Sequence, residues 1–147
     1  MGWYFEHSAV SSARGEDVWP YYANVERWSS WSRDGVEWAT LDGPFEAGSR
    51  GKVKSPRFPA SRFRLTAVDP GRMFASESKL PGARLHFEHI IESVGAGVQI
   101  THRARLEGPM AWLWSALMRK SIEKGLPDGV GRLAELAASP SDAQAAR

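Results

Sequence analysis

With 147 residues, seven tryptophans and no cysteine, the chain has the size of one ordinary domain with a large apolar interior, and it excludes a disulfide framework and thiolate chemistry. Its formal charge of +2 is too small to imply a polyanionic partner, and no run approaches the roughly 18 apolar residues of a membrane span. The amino terminus lacks a basic region followed by an apolar stretch, so no signal peptide is expected, and a reducing cytoplasm fits the composition.

Trp3 to Val10, rich in aromatic and β-favouring residues and free of glycine, is expected as a first strand. In the stretch that follows, Glu16 and Asp17 stand where a helix amino terminus favours negative charge, with Val18, Trp19, Tyr22 and Val25 at helical spacing. Two short helices are expected there, broken near Ala23-Asn24 and ending before Asp34-Gly35. From Val36 to Glu107 turn residues recur at Asp42-Gly43-Pro44, Ser55 to Pro59, Asp69-Pro70-Gly71, Pro81-Gly82 and Gly95-Ala96-Gly97. No helical crossover fits between them, so these strands should form an antiparallel meander of six. Gly108-Pro109 opens a long helix whose stripe is Met110, Leu113, Trp114 and Leu117, continued by Leu126, Val130 and Leu133. Pro127 should bend or break it between Lys124 and Gly131. Residues 139–147 are expected to be a disordered tail behind a single domain, 1–138. One long helix cannot fill the concave face of so wide a sheet, and a cavity should remain between the two.

This order of elements, with "EDVWPYYANVERWSSW", "LDGPFEAGSRGKV", "LPGARLHFEHIIE" and "THRARLEGP", resembles the helix-grip superfamily of START domains, Bet v 1 allergens and polyketide cyclase/dehydrase-like proteins. The resemblance spans Trp3 to Ala138 and is closest in character to bacterial polyketide cyclase-like members. It implies an α+β fold in which a bent antiparallel sheet of about seven strands wraps a long carboxy-terminal helix. It also implies a hydrophobic ligand, since members bind lipids, sterols, hormones and aromatic polyketides and a minority are enzymes. The superfamily shares no catalytic motif, so fold alone does not assign function.

The side chains facing the cavity follow from the turn "VGAG". A two-residue hairpin with Gly95 at the first central position of a type II′ turn pairs Val94 with Gly97, Ile91 with Ile100, His89 with His102, Phe87 with Ala104 and Leu85 with Leu106. A one-residue slip would bury His86, Glu88, Glu92, Gln99, Arg103 and Arg105 instead, which fixes the facing. His89 and His102 should therefore be cross-strand neighbours, with Cβ atoms about 4.5–5.5 Å apart. Carried through the earlier turns, the register places Phe74, Ser76, Ser78 and Leu80 inside, then Phe63, Leu65 and Ala67. Phe63, Leu65, Phe74, Phe87 and Ile100 with Trp114 and Leu117 are thus the apolar candidates for ligand contact, and Ser76, Ser78, His89 and His102 the polar ones.

Three roles stand open for the histidines: a structural pair bonded to each other, to serines or to water; groups that orient a ligand; or an acid–base pair for a cyclase or dehydratase. No inward carboxylate is visible to orient an imidazole, which weighs against an enzyme, and the lack of a third inward ligand weighs against a metal. No cofactor is expected. Trp19, Trp28 and Trp31 should pack between the small helices and the sheet, the alternative being to line the pocket mouth, with Trp112 at an edge or subunit contact. Alternation gathers Arg50, Lys52, Lys54, Arg57, Arg62 and Arg64 on the outer sheet face. That face is either simply solvated or offers a weak contact to an anionic membrane; no aromatic residue is expected on it for base stacking, so no nucleic-acid partner is expected. The reading is a binder of a hydrophobic, cyclic or lipid-like small molecule, with an acid–base enzyme and a membrane-docking, lipid-presenting module as alternatives.

Overall fold

A computed structural model of the chain describes residues 2–32 and 35–138. The tail expected to be disordered lies outside the described residues. Strand β1 (Trp3–Ser11) leads into helix α1 (Gly15–Ala23), a 3-10 turn (Val25–Arg27) and helix α2 (Trp28–Trp31). The amide of Arg14 donates to Asp17 Oδ2 at 3.0 Å, so the acidic first turn caps α1 as its charge pattern suggests. Six strands follow, β2 (Trp38–Asp42), β3 (Arg50–Lys54), β4 (Ser61–Asp69), β5 (Met73–Leu80), β6 (Ala83–Val94) and β7 (Gly97–Glu107), and helix α3 (Ala111–Ala138) comes last. The seven strands make one antiparallel sheet in the order β1-β7-β6-β5-β4-β3-β2, the expected α+β helix-grip arrangement.

The β6–β7 register is the one the turn chemistry dictates: Val94 pairs with Gly97, His89 with His102 and Leu85 with Leu106. Gly95 has φ +59° while Ala96 keeps a negative φ, which fits a type II′ turn and not a type I′. The expected facing fails at one place. A bulge between Leu65 and Ala67 puts Ala67 opposite Ala75, and Val68 takes the inward place opposite Phe74. One extra residue shifts the alternation by one, so Ala67 leaves the inward set.

Two apolar clusters fill the space between sheet and helices. One packs Val18, Tyr22, Leu65, Phe74, Ile100 and Leu133 beneath the small helices. The other packs Leu85, Ala104, Leu106, Ala111 and Ile122 at the opposite end of α3. Helix α3 runs through Pro127 without a break. The expected break does not occur: proline removes only one amide, and burial of Gly125, Gly129 and Val130 on either side holds the backbone helical. Gly129 serves close packing instead, because a Cβ there would sit 3.3 Å from the Trp31 carbonyl oxygen.

Gly51 plays a similar part in the sheet. A Cβ at this position would collide with the Thr40 carbonyl and lie 2.7 Å from Phe63 Cζ, on the face where both residues are buried. Gly51→Ala is therefore expected to lower stability by about 1–3 kcal/mol through overpacking. A urea midpoint equal to that of the wild type would show that β2 and β3 yield at no cost.

The outer face is less uniformly basic than its alternation suggests. Arg50 pairs with Arg64 and Lys52 with Arg62 across β3 and β4. Lys54, however, is held 3.5 Å from Glu37. Trp38, opposite Lys54 and 43% exposed, corrects the expectation that no aromatic side chain stands there. Arg57 leaves the face entirely, since it lies in the turn between β3 and β4. No helix among the described residues is long and apolar enough to cross a membrane.

Candidate ligand site

A cavity of about 370 Å3 lies between the two apolar clusters; its walls take Trp28 and Trp31 from one and Leu85 and Ile122 from the other. Small-molecule sites span roughly 300–1,000 Å3, so the space is large enough to hold one. Its exposed lining residues, Pro56, Arg57, Pro59 and Ala60, all belong to the β3–β4 turn, which therefore marks the mouth. The floor is buried and carries His89, His102 and Ser76. A broader depression of about 530 Å3 beside the β5–β6 turn is an open surface groove lined by Lys79, Arg84 and Glu107, and it has none of these buried polar groups.

Of the side chains expected at the site, Ser76, Ser78, Phe87, His89, His102 and Trp114 line the cavity. Phe63, Leu65, Phe74 and Ile100 are buried in the cluster beneath the small helices and do not reach the space. Leu117 is 57% exposed, on the outside of α3. Its place is taken by Met118, four residues after Trp114, which leads the lining down the helix to Ser121, Ile122 and Leu126. Leu117 alone was placed one position early, about 100° around the helix axis, while Trp114, Leu126, Val130 and Leu133 face inward as expected.

The indoles that wall the cavity are fixed by their own hydrogen bonds. Trp28 Nε1 donates to the Tyr22 carbonyl at 2.9 Å, Trp31 Nε1 to the Tyr21 carbonyl at 3.1 Å, and Trp114 Nε1 to the Pro81 carbonyl at 2.8 Å. A satisfied N–H lets a tryptophan present an apolar face without an orphaned donor. Sequence reading set packing against lining the pocket for Trp28 and Trp31; they do both.

The two histidines meet edge to face, with ring centroids 4.6 Å apart at 69°. They do not hydrogen-bond to each other, contrary to expectation. His102 Nε2 instead meets the hydroxyl of Tyr22 at 2.7 Å. Tyr22 was read as one more apolar position of α1, and nothing in the sequence pairs it with a strand 80 residues away. His89 stacks on Phe74, 4.1 Å between centroids and 3° from parallel, and its Nδ1 is buried with no hydrogen-bond partner. Ser76, also buried, makes no hydrogen bond to another described residue.

Burial sets the electrostatics. It lowers the His89 pKa from 6.5 to about 3, with a backbone interaction at Phe74, short of hydrogen-bond geometry, opposing it weakly. Burial likewise pushes His102 well below the usual histidine value, and the neighbouring His89 and His7 push it further down. His7 pairs with His102 across β1 and β7, a third histidine on the same row that sequence reading left unused. Burial raises the Tyr22 phenol well above its ordinary range. At neutral pH the floor is thus an uncharged array of hydrogen-bonding groups. No group of three or more potential metal ligands occurs among the described residues.

One sheet gripping one long helix around an apolar, partly open cavity defines a helix-grip protein. The family model for polyketide cyclase / dehydrase and lipid transport matches residues 3–138, and the chain belongs to that family. The chain resembles the Zhui aromatase/cyclase from a Streptomyces species (TM-score 0.78, 12% identity, 93% of this chain and 94% of that one). It also resembles truncated norcoclaurine synthase from Thalictrum flavum (TM-score 0.70, 11% identity, 92% and 93% covered). A Thermus thermophilus protein is similar as well (TM-score 0.72, 16% identity, 92% and 99% covered). These identities speak for the fold alone. No curated protein sequence matches the chain.

Proposed function

We propose that the protein binds a hydrophobic, cyclic or lipid-like small molecule in the cavity between the sheet and α3. One observation carries this reading: on the floor of a mainly apolar space, His89 Nδ1 is buried without a hydrogen-bond partner, and Ser76 beside it bonds to no other described residue. An unmatched buried polar group costs about 1–3 kcal/mol, and a ligand carbonyl or hydroxyl would recover part of that. The family assignment and the cavity's volume agree with such a role.

Acid–base turnover is the weaker reading. A histidine with a pKa near 3 is a poor general base at neutral pH, and no carboxylate among the described residues lines the cavity to raise it. His102 and Tyr22 lie close enough to exchange a proton, yet burial disfavours the charged form of both. Orientation of a ligand uses these neutral groups as they stand.

Ser78 lies on the cavity wall, half-buried, and Ser78→Trp would fill part of the space with an indole. The variant is expected to keep its fold by circular dichroism while losing the thermal stabilisation that an apolar aromatic additive gives the wild type. Native mass spectrometry of gently purified protein should show a small-molecule adduct for the wild type and none for the variant. No adduct, together with no stabilisation of the wild type by any apolar compound, would end the proposal.

A further inference from the structure

The proposed cavity holds one charged side chain. Among the described lining residues, Arg57 is the only ionised group at neutral pH, and no carboxylate accompanies it. It stands at the mouth, in a turn that Pro56 and Pro59 stiffen on either side. It is exposed and makes no ion pair, hydrogen bond or ring contact with another described residue. The floor at the other end of the space is uncharged.

A second observation bears on the same end of the sheet. Arg50 stands directly opposite Arg64, with Asp42 and Glu77 at the two ends of that row, and Lys52 stands opposite Arg62 with Thr40 on its other side. Like charges placed across a strand pair oppose folding. Arg62 adjoins Ser61, itself a lining residue, so this basic strip begins beside the mouth on the reverse face. The Lys52–Arg62 row, which has no carboxylate paired to it, adds positive charge near the entrance and would draw anions toward it.

Resting on the binding role proposed above, we infer that the ligand is an acidic amphiphile, whose carboxylate meets the Arg57 guanidinium at the mouth while its apolar body enters the cavity. The planar guanidinium can take a carboxylate through two parallel hydrogen bonds. The far end of the ligand then needs only a neutral carbonyl or hydroxyl to meet His89 and Ser76. The arrangement gives the cavity a polarity: acid outward, neutral oxygen inward. A fully neutral molecule would leave the only charge among the described lining residues without a use.

The test compares two fluorescent probes with the same ring and chain, 1-pyrenebutyrate and 1-pyrenebutanol, titrated into the intact protein at neutral pH and low salt. The acid is expected to bind about tenfold more tightly than the alcohol, the size of one charge-assisted hydrogen-bond contact. Arg57→Gln should abolish that preference and leave the alcohol within about twofold, while Arg57→Lys should keep part of it. Raising the salt should shrink the preference in the wild type. Because Arg57 is exposed and bonds to no other described residue, these variants should fold as the wild type does. Equal binding of the two probes, or equal weakening of both by Arg57→Gln, would overturn the acidic ligand and leave the cavity reading standing. If neither probe binds, both readings fall.

Discussion

Lowering the pH from 7 to 5 is expected to destabilise the protein by about 2 kcal/mol through His89 alone, since one pKa unit corresponds to about 1.4 kcal/mol. The folded-state pKa of His89 is depressed, from 6.5 to about 3, because burial disfavours the imidazolium. In the window between these values the unfolded chain binds the extra proton and the folded one does not. Stability is therefore fully present above the unfolded value and is lost as the pH falls toward 3. His102, depressed by the same burial and by its histidine neighbours, adds a loss of the same sign. The upper part of the window, from about pH 5 to 6.5, lies above the ordinary carboxylate range, so the acidic residues contribute little there. Urea unfolding of wild type and His89→Phe at pH 5 and pH 7 measures the effect. The variant should lose about 2 kcal/mol of the wild type's pH difference. An undiminished difference would mean that the ring is hydrated or paired when folded.

Tyr22→Phe is expected to cost about 1–3 kcal/mol while His102 is present, and close to nothing in a His102→Phe background. The reason is the asymmetry of buried hydrogen bonds. Removing the phenol strands His102 Nε2, which Tyr22 now meets at 2.7 Å, whereas removing both partners leaves only apolar rings in contact. The rings themselves should stay packed, because Tyr22 touches Trp31, Phe74 and both histidines through its face and edge. A double-mutant cycle isolates the coupling; additive losses would show that the phenol and the imidazole are independently solvated. The same logic separates the two histidines. His102 has a protein partner, so its replacement should show first as lost stability. His89 has an unpartnered nitrogen, so His89→Phe should leave neutral-pH stability near the wild-type level and show first as altered ligand retention.

Much of this architecture was legible locally. Glycine at position 95 and the strict alternation on either side of it dictate a register, and that register carries His89 to His102 with no tertiary information. Turn residues at short intervals exclude parallel crossovers, which leaves an antiparallel meander, and one apolar stripe after Gly108-Pro109 requires a helix lying on it. Where local rules met a packing decision, they stopped. The bulge beside Thr66 has no turn residue to announce it, so the inward phase was misread from Ala67 onward. The stripe on α3 is wide enough to admit two phases, and only contact with the sheet selects Met118 and exposes Leu117. Pro127 breaks a helix on propensity and does not break this one, because the flanking turns are buried on both sides. Tyr22 and Arg57 mark the deeper limit. A tyrosine in an amphipathic helix and an arginine in a turn are ordinary at the level of sequence. Only the folded chain decides that one reaches across to His102 and the other stands alone at the mouth of an apolar cavity. Residue type and spacing determine which face a side chain takes within its own strand or helix; what it meets on a distant element depends on how those elements pack, and that is where the chemistry of this cavity was set.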